Sequence, residues 1–85
     1  MAQEKQSEAL DRISIIVPFY NEAENIESVL SEILEHQPNA EVIAVDDGSS
    51  DSTWELISNI ENVKGIHFNK NRGQSAALLT GIRQA

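Results

Sequence analysis

No cysteine occurs among the 85 residues, which excludes disulfides and thiolate-bound zinc and suits a reducing compartment. Long apolar runs are absent too. None approaches the roughly 20 residues that a membrane span needs, and the start, MAQEKQSEALDR, has no apolar stretch of the kind a secretion signal carries. The expected location is cytoplasmic, or the cytoplasmic face of a membrane if the chain is part of a longer protein. A basic surplus is also missing: the formal net charge is -8, which argues against a nucleic-acid partner. The acids are unevenly placed. All 14 lie at or before Glu61, whereas the stretch from Asn62 to Ala85 carries Lys64, Lys70, Arg72 and Arg83.

Such a length allows one domain with a thin core, burying only about 60 to 65% of the surface of the unfolded chain. Residues 1–12 show no hydrophobic period and read as a flexible tail. "ISIIV", Ile13 to Val17, is a β-branched run ended by Pro18, as in a strand covered on both faces. "NEAENIESVLSEILEHQ" comes next, in which Asn21 and Glu24 have capping-box spacing and Ile26, Val29, Leu30, Ile33 and Leu34 have helical spacing. "EVIAV", Glu41 to Val45, is a second strand after the break at Pro38-Asn39. A second helix is expected from Asp51 or Ser52, with Trp54, Ile57 and Ile60 along one face. "VKGIHF", Val63 to Phe68, is a third strand that Gly65 interrupts. In "QSAALLTGIRQA", a last helix is expected to turn Leu78, Leu79 and Ile82 inward.

Strand and helix alternate three times, with short connections, so right-handed parallel crossovers are expected. The predicted fold class is α/β: a three-layer α/β/α, Rossmann-like half domain with three parallel strands and three helices.

In open parallel sheets, ligands bind beyond the carboxyl ends of the strands. Three segments arrive there: "PFYNE", "DDGSSD" and "NKNRGQS". The first brings the Tyr20 ring and the Glu22 carboxylate. The second brings Asp46 and Asp47, two like charges side by side; because Asp51 and the serines suffice for capping, this pair is surplus and points to binding. A carboxylate there can accept from a base N–H or a ribose hydroxyl, or help hold a divalent cation. The third brings Lys70, Arg72 and the backbone amides ahead of the last helix, a setting that favours phosphate.

Rival motifs are missing. There is no GxGxxG or GxxxxGK[ST] after the first strand. A receiver domain needs a phosphoacceptor Asp after a later strand, and "GIHFNKNRG" has none. His36, at a helix end, reads as a partner of the helix dipole, and His67, inside a strand, as structural.

Together "ISIIVPFYNEAENI", "EVIAVDDGSSDST" and "NKNRGQSAALLTGI" resemble the opening third of family 2 glycosyltransferases of the GT-A fold. The likeness spans Ile13 to Ala85. It is nearest to the branch that transfers a sugar from a nucleotide donor to a polyprenyl or dolichyl phosphate. This resemblance implies a nucleotide-sugar site in which Pro18, Tyr20 and Glu22 line the nucleoside pocket. It also implies that Asp46 or Asp47 contacts the base or ribose, and that Arg72 lies near the base and diphosphate. The family's Asp-x-Asp motif, which binds Mg2+ or Mn2+, is expected beyond Ala85, as is the acid that assists the acceptor. Residues 13–85 are accordingly expected to be an incomplete nucleotide-sugar-binding part, with no catalytic residue, no bound metal and no activity alone. Because the family's first strand is central, its edge is expected to be open here and to drive homo-oligomer formation. A second reading is a stand-alone, non-catalytic oligomeric binding or assembly module.

Overall fold

Apolar runs set the first two strands and the mixed segment VKGIH the third, each followed by a polar turn, and the computed structural model, which describes residues 13–85, alternates them with helices. The expected tail, 1–12, lies outside the described residues. The order is β1 (Ser14–Phe19), α1 (Ile26–His36), β2 (Glu41–Asp46), α2 (Thr53–Ser58), β3 (Val63–His67) and α3 (Gln74–Gln84). All pairings are parallel in the order β1-β2-β3, with Phe19 opposite Asp46 and Asp46 opposite His67.

Strand alternation sorts the core into two layers. Val42 and Ala44 join Phe19, Ile26, Leu30 and Ile57 under α1 and α2. Ile43 and Val45 join Phe68 and Ala77 under α3. The three-layer α/β/α half domain is therefore present, and its centre is β2, every residue of which from Val42 to Asp46 is buried. Fully burying a Val, Leu or Ile side chain contributes about 1.5–3 kcal/mol, so these layers hold most of the apolar stabilisation.

Several local expectations give way to tertiary contacts. Strand β1 runs through Pro18 to Phe19. The Phe19 carbonyl faces β2, where it accepts from Asp47 N at 2.8 Å, so the missing donor of Pro18 falls on the opposite edge. No strand among the described residues pairs with that edge. The Asn21–Glu24 capping box does not form. Asn21 takes a φ of 52° and its Oδ1 accepts from Ser50 N at 2.8 Å, while α1 starts only at Ile26 after a turn closed on the Glu22 carbonyl. Ile60 falls beyond the end of α2. Gly65 does not interrupt β3, which runs through it, and a Cβ there would come within 3.0 Å of the Trp54 ring.

The expected inward face of α3 is wrong. Leu78, Leu79 and Ile82 are 36%, 48% and 60% exposed, whereas Ala77 and Gly81 meet the sheet. Small residues face inward because α3 lies close to β1; a Cβ on Gly81 would come within 2.4 Å of the Ile16 side chain. We therefore expect Ile82→Ala to lower unfolding free energy by less than ~1 kcal/mol, against ~2–5 kcal/mol for Ile57→Ala in the core. Urea denaturation of the two variants measures both; equal losses would put Ile82 in the core.

Candidate functional site

The carboxyl ends of the strands carry a dense set of polar side chains, and β2 decides how they are shared. Successive residues of an extended strand point to opposite faces. Asp46 follows Val42 and Ala44 toward α1 and α2, and Asp47 follows Ile43 and Val45 toward α3. The two like charges therefore diverge, and each meets its own donors.

Asp46 is fully buried. Its Oδ1 accepts from Ser49 N at 3.1 Å and its Oδ2 from His67 Nδ1 at 2.7 Å. The imidazole in turn stacks on Trp54, ring centroids 4.8 Å apart. Asp47 is 4% exposed and holds the third loop. Its Oδ1 accepts from Arg72 N at 2.7 Å, and its Oδ2 from Gly73 N at 2.9 Å and Asn71 Nδ2 at 3.1 Å. This carboxylate lies at the start of α3, where a negative charge is favoured by the helix dipole. The amides expected to bind phosphate are thus taken by Asp47, which corrects that part of the sequence reading.

Gly48 lets the loops close. Its φ is 72°, and a Cβ there would sit 2.2 Å from the Lys70 carbonyl carbon. The first and second loops are tied as well: Asn21 N donates to Ser49 Oγ at 2.8 Å, Glu22 N to Thr53 Oγ1 at 2.9 Å, and Ala23 N to Asp51 Oδ2 at 3.2 Å.

Over this frame lies a cleft of about 310 Å³ lined by Pro18, Phe19, Tyr20, Glu22, Asp47, Asn71, Gly73 and Gln74. Four of the six expected site residues, Pro18, Tyr20, Glu22 and Asp47, meet here. Asp46 does not line the cleft; it lies beneath, turned to Ser49 and His67. Arg72 does not line it either, its guanidinium resting over the Phe68 ring at 5.1 Å. Asn71 and Gln74 were not singled out from sequence, although the "NKNRGQS" loop that carries them was. Counting alternation along β2 would have signalled that Asp47 faces the α3 side. Among the described residues, no group of three or more His, Asp or Glu side chains is placed to hold a metal ion, and no helix is long and apolar enough to cross a membrane.

Residues 14–85 match the model of "Glycosyl transferase family 2". The chain belongs to that family. Within it, the sequence is similar to the dolichol-phosphate mannosyltransferase of Pyrococcus furiosus, 38% identical over 87% of this chain and 22% of that enzyme. It is also similar to the poly-beta-1,6-N-acetyl-D-glucosamine synthase of Staphylococcus epidermidis, 36% identical over 94% of this chain and 20% of that one. In structure it resembles the mannosyltransferase PcManGT of Pyrobaculum calidifontis, solved in complex with GDP-Man and Mn2+. The TM-score is 0.76 and the identity 32%, covering 87% of this chain and 24% of that one. This family 2 chain therefore spans between a fifth and a quarter of the length of these relatives.

In the second loop, Asp51 is held below its ordinary pKa of 3.8, first by the Thr53 hydroxyl and then by Thr53 and Ala23 backbone amides. The folded chain thus takes up this proton less readily than the unfolded one. Its stabilising effect is complete above the ordinary value and is lost as pH falls through the lower folded value. We expect Asp51→Asn to be less stable than the parent at pH 6, with the difference shrinking below pH ~4 as the parent Asp51 protonates. Thermal unfolding at several pH values measures this; a gap that stays constant or widens in acid would refute it.

Proposed function

We propose that residues 13–85 are the nucleotide-sugar-binding part of an enzyme that transfers a sugar from a nucleoside diphosphate to a polyprenyl or dolichyl phosphate. The observation that carries this reading is the cleft at the strand ends, where an exposed aromatic ring, a proline and two carboxylates converge. Its volume falls at the lower end of small-molecule sites. Tyr20 offers a stacking face for the base, and Glu22 an acceptor for ribose hydroxyls. Asp47 supports the cleft from within, Asp46 holds the turn below it, and Arg72, outside the cleft lining with its guanidinium over Phe68, is assigned to the diphosphate.

Family membership and the bound GDP-Man of the mannosyltransferase from Pyrobaculum calidifontis support the nucleotide part of the reading. The lipid-phosphate acceptor is supported by the dolichol-phosphate mannosyltransferase relative, whereas the glucosamine polymer synthase is named for a different product. In this proposal Mg2+ or Mn2+ is held by residues outside 13–85, and residues 13–85 bind the nucleotide sugar without supplying a catalytic group of their own.

A titration with UDP and GDP, with and without Mn2+, followed by amide chemical shifts tests the reading. Shifts are expected at Tyr20, Glu22 and residues 71–74, and Tyr20→Ala should weaken the better ligand by ~10-fold, the value of one base–aromatic stack. Absence of any shift at millimolar nucleotide would overturn it.

Among the described residues the outer edge of β1 has no partner strand, and with exposed Ile13 nearby and the apolar outer face of α3 it supports, as part of this proposal, pairing with a second copy. Light scattering should then report a mass that rises with concentration above one chain. A constant monomer mass across the series would remove the assembly reading.

A further inference from the structure

We propose that His67 is the positioning residue that keeps the three strand-end loops in register, acting through the buried Asp46 carboxylate. In its ligand-facing consequence the inference rests on the nucleotide reading above; its structural part does not. His67 lies in β3, outside the three loop segments, and its side chain is 35% exposed. Register places it opposite Asp46, and the neighbouring Phe68 N donates to the Asp46 carbonyl at 2.9 Å. A carboxylate only accepts, so Nδ1 carries the hydrogen in the 2.7 Å contact. The Trp54 ring, inclined by 24° to the imidazole, keeps it in that plane.

The effect of this single contact reaches all three loops. With Oδ2 held by His67, Oδ1 is aimed at Ser49 N. That bond closes the turn containing Gly48, whose backbone lies against residues 70 and 71. Ser49 Oγ then receives Asn21 N from the first loop, and Asp47 receives the Arg72 and Gly73 amides of the third. Without the His67 donor, a fully buried carboxylate oxygen is left unpaired. Asp46 must then turn toward another donor, and the Ser49 bond is released.

Two variants of the full chain separate positioning from packing. His67→Phe keeps a ring on Trp54 and loses the N–H; His67→Asn keeps a donor near the Nδ1 position and loses the ring. Amide hydrogen exchange should quicken by ~10-fold or more at Ser49, Arg72 and Gly73 in His67→Phe, while Val42–Val45 amides change by less than ~3-fold. His67→Asn should restore the three loop amides to within ~3-fold of the parent. UDP or GDP affinity, whichever the parent binds, should fall in His67→Phe and recover in His67→Asn. Loop exchange unchanged in His67→Phe, equal acceleration at Val42–Val45, or no recovery in His67→Asn would overturn the proposal. If His67→Phe does not fold, His67→Asn decides alone: parental loop exchange upholds the inference and ~10-fold faster exchange ends it. A parent that binds neither nucleotide would remove the nucleotide reading, while the exchange measurement still decides whether His67 positions the loops.

Discussion

The extended geometry of β2 is the constraint on which the site depends. Because its side chains alternate, two adjacent carboxylates at the end of one strand enter different layers and never face each other. Asp46 sinks toward Trp54 and His67, and Asp47 toward the first turn of α3. Burying either charge without partners would be strongly unfavourable. Among the described residues, every buried side-chain nitrogen or oxygen has a hydrogen-bond partner.

This arrangement divides the work between frame and surface. The carboxylates serve the frame, drawing the second loop to β3 and the third loop to the sheet. Charge-assisted bonds from backbone amides suit that task, since they are stronger than neutral ones and fix direction. The exposed groups on the cleft surface are Tyr20, Glu22, Asn71 and Gln74, with Pro18 beside them. Loops held in this way are ordered in advance, and in the proposed function that lowers the entropy cost of binding. Strand β1 contrasts with this economy of partners: its three central apolar residues, Ile15 to Val17, are only half buried although the same pattern in β2 is wholly covered.

Much of the fold was legible in the residues. Strand cores, helix order, parallel connection and the two-faced apolar pattern of β2 are all carried by short-range periodicity. The three loop segments at the strand ends were also legible, because strand ends in such sheets are the places where loops converge. Misreadings cluster where a local rule met a distant competitor. Asn21 had capping-box spacing, but two backbone donors of the second loop, at Ser50 and Asp51, claimed its oxygen. Leu78, Leu79 and Ile82 had helical spacing and apolar character, yet Gly81 lets α3 approach Ile16 so closely that the helix turns its small face inward.

The sequence by itself determined the α/β class, the number and order of elements and the family of the chain, since each of these is carried by local pattern or by contiguous motifs. Only the tertiary structure decided what Asp46, Asp47, Arg72 and His67 touch. The contacts of Asp46 with His67 and of Asp47 with Arg72 and Gly73 join residues 21 to 26 positions apart, and periodicity carries no information over that distance. Which carboxylate holds which loop is set by the face each strand position presents once the sheet has formed.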